Sequence, residues 1–302
     1  MLNETSDEYK KEQLIRRYCN TYHLEEKNIN YDMIIKHWNL ERKLQKEMLK
    51  CERSRRVDFF MDCYNILYTS CHWLVSTGIA DNNQSASKNW FISNNLPKNA
   101  QILEIGGGAG NCAKTVSEKG FSLTCIDISE ERVAEAKKNN QNSNIAFRVG
   151  DATNLQLLND SFDIVDSHEM IEHLHPDDVL YHLKEVYKIL KEGGFYYFTT
   201  PNGLWGPQDV SRVFECKKAY GMHLKEYSYS EISPLLQDSG FTTVQSPAIH
   251  PSVCYRARLI PPLVDSSKKS SWESTVRSLP YPLNRYLATL TATNSVMIKA
   301  IK

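Results

Sequence analysis

The sequence predicts an α/β protein with a mostly parallel sheet and helices on both faces. Two observations carry this prediction. Apolar strand patterns alternate with helical patterns from residue 101 onward, and the first apolar run, 102–105, leads straight into a cluster of glycines. Strands and helices that alternate along a chain form right-handed crossovers, and the strands then align in a parallel sheet.

The N-terminal part of the chain is predicted to be helical. Residues 7–78 contain no proline and no glycine before Gly78, and they are rich in Leu, Lys, Glu and Arg. The Asn, Asp, Ser and Gly of residues 78–87 indicate a linker, and a short helix is expected at 87–96. We therefore predict an N-terminal helical extension over 1–86, expected to act as a lid, and a second domain over 87–302.

The second domain is predicted element by element from its hydrophobic pattern. The expected strands are 101–105, 121–126, 145–149, 162–166, 195–200, 241–246 and 296–301. The expected helices are 110–119, 130–139, one that Pro176 opens, and 228–239. Residues 247–290 carry six of the eleven prolines and are predicted to be an insertion of loops before the last strand. His182 is expected to be exposed on the polar side of its helix.

The glycine cluster predicts a nucleotide-type binding turn. Gly106, Gly108 and Gly110 are spaced G-x-G-x-G, which differs from the G-x-G-x-x-G of dinucleotide-binding turns, and no Lys-Ser or Lys-Thr follows as in a P-loop. Glu104 stands just before the turn, and Asp127 ends the next strand. A carboxylate about 20 residues beyond such a turn is well placed to accept hydrogen bonds from a ribose.

With these residues the chain resembles the class I S-adenosylmethionine-dependent methyltransferases, whose first motif is an acidic residue followed by G-x-G-x-G. The resemblance implies a Rossmann-like, seven-stranded sheet with an antiparallel last strand, and S-adenosylmethionine as the cofactor. Gly150-Asp151-Ala152 matches the stretch that reaches the adenine in that family. The implied cofactor-binding residues are Glu104, Gly106, Gly108, Gly110, Asp127, Ile128, Asp151, Ala152 and His168.

The amino-acid composition limits the binding partners and the cellular compartment that we expect for this protein. Lys+Arg and Asp+Glu are equal at 36 each, so no global positive field favours extended nucleic acid. The eight cysteines form no C-x-x-C pair and indicate the reduced thiols of a cytoplasmic protein. No apolar stretch approaches the length of a membrane span, and nothing in the chain suggests export.

The residues expected to carry chemistry follow the fourth strand. The E-x-x-E-H pattern of Glu169, Glu172 and His173, with His223 further along, resembles that of ubiquinone-pathway and small-RNA 2′-O-methyltransferases. In the latter the matching positions hold a divalent ion, which implies Mg²⁺, Mn²⁺ or Fe²⁺ here. Residues 169, 172 and 173 are spaced so that one helical turn would bring them to one side. The alternative is a site without metal, in which His168 or His173 acts as a base.

Three functions stay open at this level. The first is methyl transfer to a hydroxyl of a small molecule such as a natural product, a sugar or a quinone-like acceptor. The second is 2′-O-methylation at the 3′ terminus of RNA, and the third is a non-catalytic cofactor-binding partner subunit. The sequence predicts neither the acceptor nor the oligomeric state.

Overall fold

The structure is a computed structural model that describes residues 2–74, 99–110, 121–141, 145–158 and 161–302. The predicted linker at 78–87, the predicted helix at 87–96 and residues 111–119 of the predicted helix at 110–119 lie outside these residues. The predicted boundary between 86 and 87 lies outside them as well. The described helices include none with the length and apolarity that a membrane span requires.

The chain divides into two compact units. The helical unit consists of residues 1–79 with 206–224, and the sheet unit consists of residues 80–205 with 225–302. The sequence pattern does not indicate that 206–224 belongs with the N-terminal helices.

The helical unit contains three described helices and the segment 206–224. The helices are α1 (Leu2–Tyr22), α2 (Tyr31–Met48) and α3 (Arg56–Ser70). Buried carboxylates hold the segment to α2 and to itself. The Oε2 atom of Glu41 accepts from the backbone N–H of Met222 (3.1 Å), and Asp209 accepts from the N–H of Gly221 (2.7 Å). Hydrogen bonds from backbone N–H groups to buried carboxylates do not depend on the residue types of the loop. The amino-acid sequence therefore does not indicate that this loop returns to the helix.

The sheet unit contains the eight strands that the described residues form. They are β1 (Gln101–Ile105), β2 (Ser122–Asp127), β3 (Ile145–Val149), β4 (Phe162–His168), β5 (Leu190–Pro201), β6 (Thr243–Pro247), β7 (Leu263–Asp265) and β8 (Ser295–Ile301). Their order in the sheet is β3-β2-β1-β4-β5-β8-β6-β7. Strands β1 to β5 pair in parallel, whereas β8 is antiparallel to β5 and β6. The predicted Rossmann-like sheet with an antiparallel last strand is confirmed.

Six described helices belong to this unit. They are α4 (Glu130–Asn139), α5 (Val179–Ile189), α6 (Tyr229–Asp238), α7 (Pro251–Arg256), α8 (Ser266–Ser278) and α9 (Leu283–Leu290). Helices α5 and α6 pack on one face of the sheet and α4 packs on the other, so the predicted two-sided cover is confirmed. The apolar stripe of α5 is fully buried, and each such side chain contributes about 1.5–3 kcal/mol.

Two predictions about the C-terminal part were wrong. In the part of the chain that the structure describes, the sheet has eight strands instead of seven because Leu263–Asp265 pairs with β6. Three residues are too few for strand alternation to be recognised. The predicted loop insertion at 247–290 instead carries α7, α8 and α9. Helix α8 forms in a serine-rich stretch because Asp265 caps its first turn, accepting from the N–H of Ser267 (2.8 Å), and because Val276 is buried.

Candidate cofactor-binding and catalytic site

The glycine turn after β1 requires glycine at its three motif positions. Gly106, Gly108 and Gly110 have φ values of 74°, 52° and 76°, in the left-handed region that L side chains rarely adopt. A Cβ at Gly106 would also lie 2.7 Å from the Cγ of Met170. Positive φ therefore accounts for glycine at all three positions of this turn.

Asp127 clamps the turn from the end of β2. Its Oδ2 accepts from the N–H of Gly108 (2.9 Å), and its Oδ1 accepts from the N–H of Ser129 (2.9 Å). Ser129 in turn caps α4 by accepting from the N–H of Arg132 (3.3 Å). The half-buried Ile128 lies between Asp127 and Ser129 in the sequence. One carboxylate thus ties the glycine turn to the start of the next helix.

Glu104 is a buried carboxyl group at the base of the turn. Burial, followed by the nearby charge of Asp166, raises its pKa from 4.5 to about 8. The side chain of Cys125 hydrogen-bonds the carboxyl and lowers its pKa in part, whereas the Oε2 atom has no hydrogen-bond partner among the described residues. A buried carboxyl of this kind is stabilised in its ionised form only by a cation or additional donors.

Asp151 and Ala152 form the loop that follows β3. The Oδ1 atom of Asp151 accepts from both the N–H (2.8 Å) and the hydroxyl (2.9 Å) of Thr153. The N–H of Gly150 donates to the carbonyl oxygen of Asp127 (3.0 Å), which joins this loop to the end of β2. The predicted cofactor residues of β1, β2 and β3 therefore lie at neighbouring carboxyl ends of a parallel sheet, where α/β proteins bind their ligands.

His182 is buried, which makes the predicted exposure wrong. Its Nδ1 lies 2.9 Å from the carbonyl oxygen of Ala152, and its Nε2 lies 3.0 Å from the hydroxyl of Tyr196. Burial lowers its pKa from 6.5 to about 4, so the imidazole is neutral near pH 7. The signal was present in the sequence: His182 follows Val179 by three and precedes Val186 by four, which places it on the buried stripe of α5.

His168 ends β4 beside a buried carboxylate. Its Nε2 lies 3.1 Å from the Oδ2 of Asp166, and its Nδ1 lies 3.2 Å from the hydroxyl of Thr199 on β5. An imidazole and a carboxylate therefore lie side by side at the carboxyl end of β4, where the sequence predicts a base.

The arrangement of Glu169, Glu172 and His173 differs from the predicted helical turn. The turn comprises only Ile171–His173 and is of the 3-10 type, whereas Glu169 precedes it with a φ of 49°. Glu169 accepts from the hydroxyl of Thr199 (3.0 Å) and Glu172 from that of Thr200 (2.9 Å). Thr199 and Thr200 are successive residues of one strand and point to opposite faces, so the single helical turn over 169–173 was wrong.

The predicted metal ligands are divided between the two units. Glu169, Glu172 and His173 belong to the sheet unit, where the fully buried Glu172 has its Oε1 4.0 Å from the Nε2 of His173. His223 belongs to the helical unit, where its carbonyl oxygen accepts from the side chain of Gln45 (2.9 Å).

The fold and the glycine turn are those of a Rossmann-like domain with a turn suited to a nucleotide-type cofactor. Comparison with known proteins indicates which class of protein this domain resembles. Residues 102–194 match the family model described as a methyltransferase domain. A chain of the complex between the Haloferax volcanii Trm112 methyltransferase activator and a methyltransferase superposes with a TM-score of 0.52 and 17% identity. It covers 74% of this chain and 92% of that one. This likeness shows that the chain has a Rossmann-like methyltransferase fold.

Two curated relatives act on different atoms. Phosphoethanolamine N-methyltransferase 2 of Caenorhabditis elegans is 28% identical over 155 residues, which are 50% of this chain and 34% of the relative. Ubiquinone biosynthesis O-methyltransferase of Pseudomonas aeruginosa (strain LESB58) is 28% identical over 117 residues, 38% of this chain and 50% of the relative. The chain thus spans half or less of the length of both relatives, one an N-methyltransferase and the other an O-methyltransferase.

Proposed function

We propose that this chain is an S-adenosylmethionine-dependent methyltransferase that methylates a hydroxyl group of a small molecule. The observation that carries the proposal is the buried carboxyl of Glu104, whose Oε2 has no partner among the described residues and which adjoins a turn of positive-φ glycines. S-adenosylmethionine carries an ammonium and a sulfonium group. A cation of this kind supplies the positive partner that stabilises ionised Glu104, and the glycines leave room for a ligand to approach the backbone.

The two aspartates that are predicted to bind the cofactor carry chemically suitable groups. Asp127 uses its carboxylate to hold the turn and keeps lone pairs for ribose hydroxyls, since a carboxylate accepts about four hydrogen bonds. Asp151 offers a second fixed carboxylate for the amine of an adenine. Bound S-adenosylmethionine would supply the methyl group as a substituent of its sulfonium.

The residues of β4 support a hydroxyl as the acceptor. A hydroxyl must lose a proton when it is methylated, so a base near the acceptor accelerates the reaction. His168, with its Nε2 3.1 Å from Asp166, is suited to take that proton, and His173 is the second candidate. The curated relatives include an N- and an O-methyltransferase, so the choice of oxygen depends on this base.

The proposed function is tested by transfer of a labelled methyl group from S-adenosylmethionine to pooled metabolite extracts. Labelled small-molecule product is expected with the unaltered chain, and none is expected with Asp127→Ala. Binding of the cofactor without any labelled product across extracts would instead identify a non-catalytic cofactor-binding subunit.

We further propose that a divalent ion assists the transfer, with Glu172 and His173 as ligands in the sheet unit. Mg²⁺ is commonly held by one or two carboxylates and keeps several waters, and a carboxylate with an imidazole also suits Mn²⁺ or Fe²⁺. A bound ion would lower the pKa of an acceptor hydroxyl.

Chelation is expected to abolish methyl transfer while cofactor binding persists, and added metal should restore it. Glu172→Gln should have the same effect as chelation, because it removes a charged ligand. Glu192→Gln, which alters a side chain that is 90% exposed, is the matched control and should retain activity. Full activity in excess chelator, with no metal in the purified protein, would exclude the ion and leave His168 or His173 as simple bases.

A further inference from the structure

Three buried side chains link the end of β4 to the loop after β3 through a continuous chain of hydrogen bonds. The hydroxyl of Ser167 lies 2.7 Å from that of Tyr196, which lies 3.0 Å from the Nε2 of His182. The Nδ1 of His182 lies 2.9 Å from the carbonyl oxygen of Ala152. The three side chains are at most 1% exposed, and all four residues belong to the sheet unit.

The direction of every hydrogen bond in this chain follows from its end. The carbonyl of Ala152 can only accept, so the Nδ1 of His182 must carry the proton and donate. In a neutral imidazole the Nε2 then accepts, so the hydroxyl of Tyr196 donates to it and accepts from Ser167 in turn. Burial supports this state because it lowers the pKa of His182 and raises that of Tyr196, so that both side chains stay neutral near pH 7.

Among the described residues, the ionisable groups whose charge acts on His182 and Tyr196 are acidic. Asp151 and Glu185 face His182, and both favour its protonated form, but burial outweighs them. Asp166 and Glu172 face Tyr196, and both raise its pKa further. The polarity of the chain is therefore stable near neutral pH.

The chain fixes a peptide group that also carries a hydrogen bond to Asp151. The peptide between Ala152 and Thr153 is planar, so its carbonyl and its N–H have fixed relative directions. His182 holds the carbonyl, and the N–H of Thr153 donates to the Oδ1 of Asp151 (2.8 Å). Holding one end of this plane from the protein interior thereby orients the carboxylate at the other end.

We infer that Ser167, Tyr196 and His182 are positioning residues that orient Asp151 for the adenine ring of the cofactor. This inference rests on the proposed function, because it requires that the loop after β3 receives adenine. It assigns a role to a buried polar network that the proposed reaction does not otherwise use. Burying a polar side chain costs free energy unless it is hydrogen-bonded, and each side chain of this network has a hydrogen-bond partner.

The test compares two ligands that differ in the adenine ring. S-adenosylhomocysteine contains adenine, whereas S-ribosylhomocysteine lacks it and retains the ribose and the amino acid. Tyr196→Phe removes the central hydroxyl with little change in volume, and Ser167→Ala removes the terminal donor. Tyr187→Phe alters a half-buried tyrosine of α5 that is not part of the hydrogen-bond network, and it is the matched control.

Titration calorimetry is expected to show that Tyr196→Phe binds S-adenosylhomocysteine about 5- to 30-fold more weakly, with affinity for S-ribosylhomocysteine unchanged. Ser167→Ala should show the same selectivity with a smaller loss, and it serves as the test if Tyr196→Phe does not fold. Equal losses for both ligands, or no loss for either, would overturn the inference. If the unaltered chain binds neither ligand, the proposed function itself fails, and the two failures are thereby distinguished.

Discussion

Glu104→Gln is expected to raise the thermal stability of the protein at pH 8 and to weaken its binding of S-adenosylmethionine. Because the pKa of Glu104 is about 8 in the folded chain and about 4.5 when unfolded, the native state holds a proton that the unfolded state releases between these values. Stability therefore falls as pH rises from 4.5 to 8, by an amount on the order of a few kcal/mol. Glutamine has no such proton to lose.

The same substitution removes the negative charge that the cofactor needs. A buried hydrogen bond to a charged group contributes about 1.5–3 kcal/mol, which corresponds to about a 10- to 100-fold change in the dissociation constant. Melting curves from pH 5 to 8, followed by calorimetric titration at pH 8, measure both effects. The exposed carboxylate in Glu192→Gln provides the control and should change neither. A variant that melts lower than the unaltered chain at pH 8, or that binds cofactor equally well, would contradict the assignment of Glu104.

Asp127→Ala is expected to cause the largest loss of cofactor affinity of any single substitution proposed. It removes the acceptor for the N–H groups of Gly108 and Ser129 as well as the proposed partner of the ribose hydroxyls. Each ribose hydroxyl that is buried without this acceptor costs about 1–3 kcal/mol on binding, so a loss of roughly 100-fold or more is expected.

A matched control for Asp127 lies at the opposite end of the strands. Asp163, near the start of β4, also accepts from a backbone N–H, that of Gln101 (2.8 Å), and from Lys191 (2.9 Å). Asp163→Ala should lower stability without changing the affinity for S-adenosylhomocysteine, since ligands bind at the carboxyl ends of the strands. Equal effects of the two substitutions in titration calorimetry, or unchanged affinity in Asp127→Ala, would remove Asp127 from the cofactor site.

The parts of this fold that the sequence predicted are those governed by local rules. Helix α4 was predicted at its observed residues, 130–139, because Ser129 caps it and acidic residues occupy its first turn. The glycine turn was predicted because only glycine adopts positive φ without strain at three nearby positions. The antiparallel last strand came from the family resemblance, and pattern alone would not have given its direction.

The parts that the sequence did not predict depend on contacts between distant residues. Strand β7 exists because β6 offers it an edge, and helix α8 forms around buried side chains that composition conceals. Segment 206–224 joins the helical unit through a contact between residues far apart in sequence. The backbone N–H of Met222 donates to the carboxylate of Glu41. The positive φ of Glu169 has no sequence signal, because a glutamate is not expected there.

The proposed cofactor site is tested by binding of S-adenosylmethionine to the unaltered chain, measured by calorimetry in buffers of different ionisation enthalpy. We expect saturable binding at one site, with a proton released on binding at pH 7, because Glu104 must ionise to pair with the cationic cofactor. We also expect the apparent affinity to rise with pH toward 8. The absence of saturable heat for both S-adenosylmethionine and S-adenosylhomocysteine, or binding without any proton release, would contradict the proposed site.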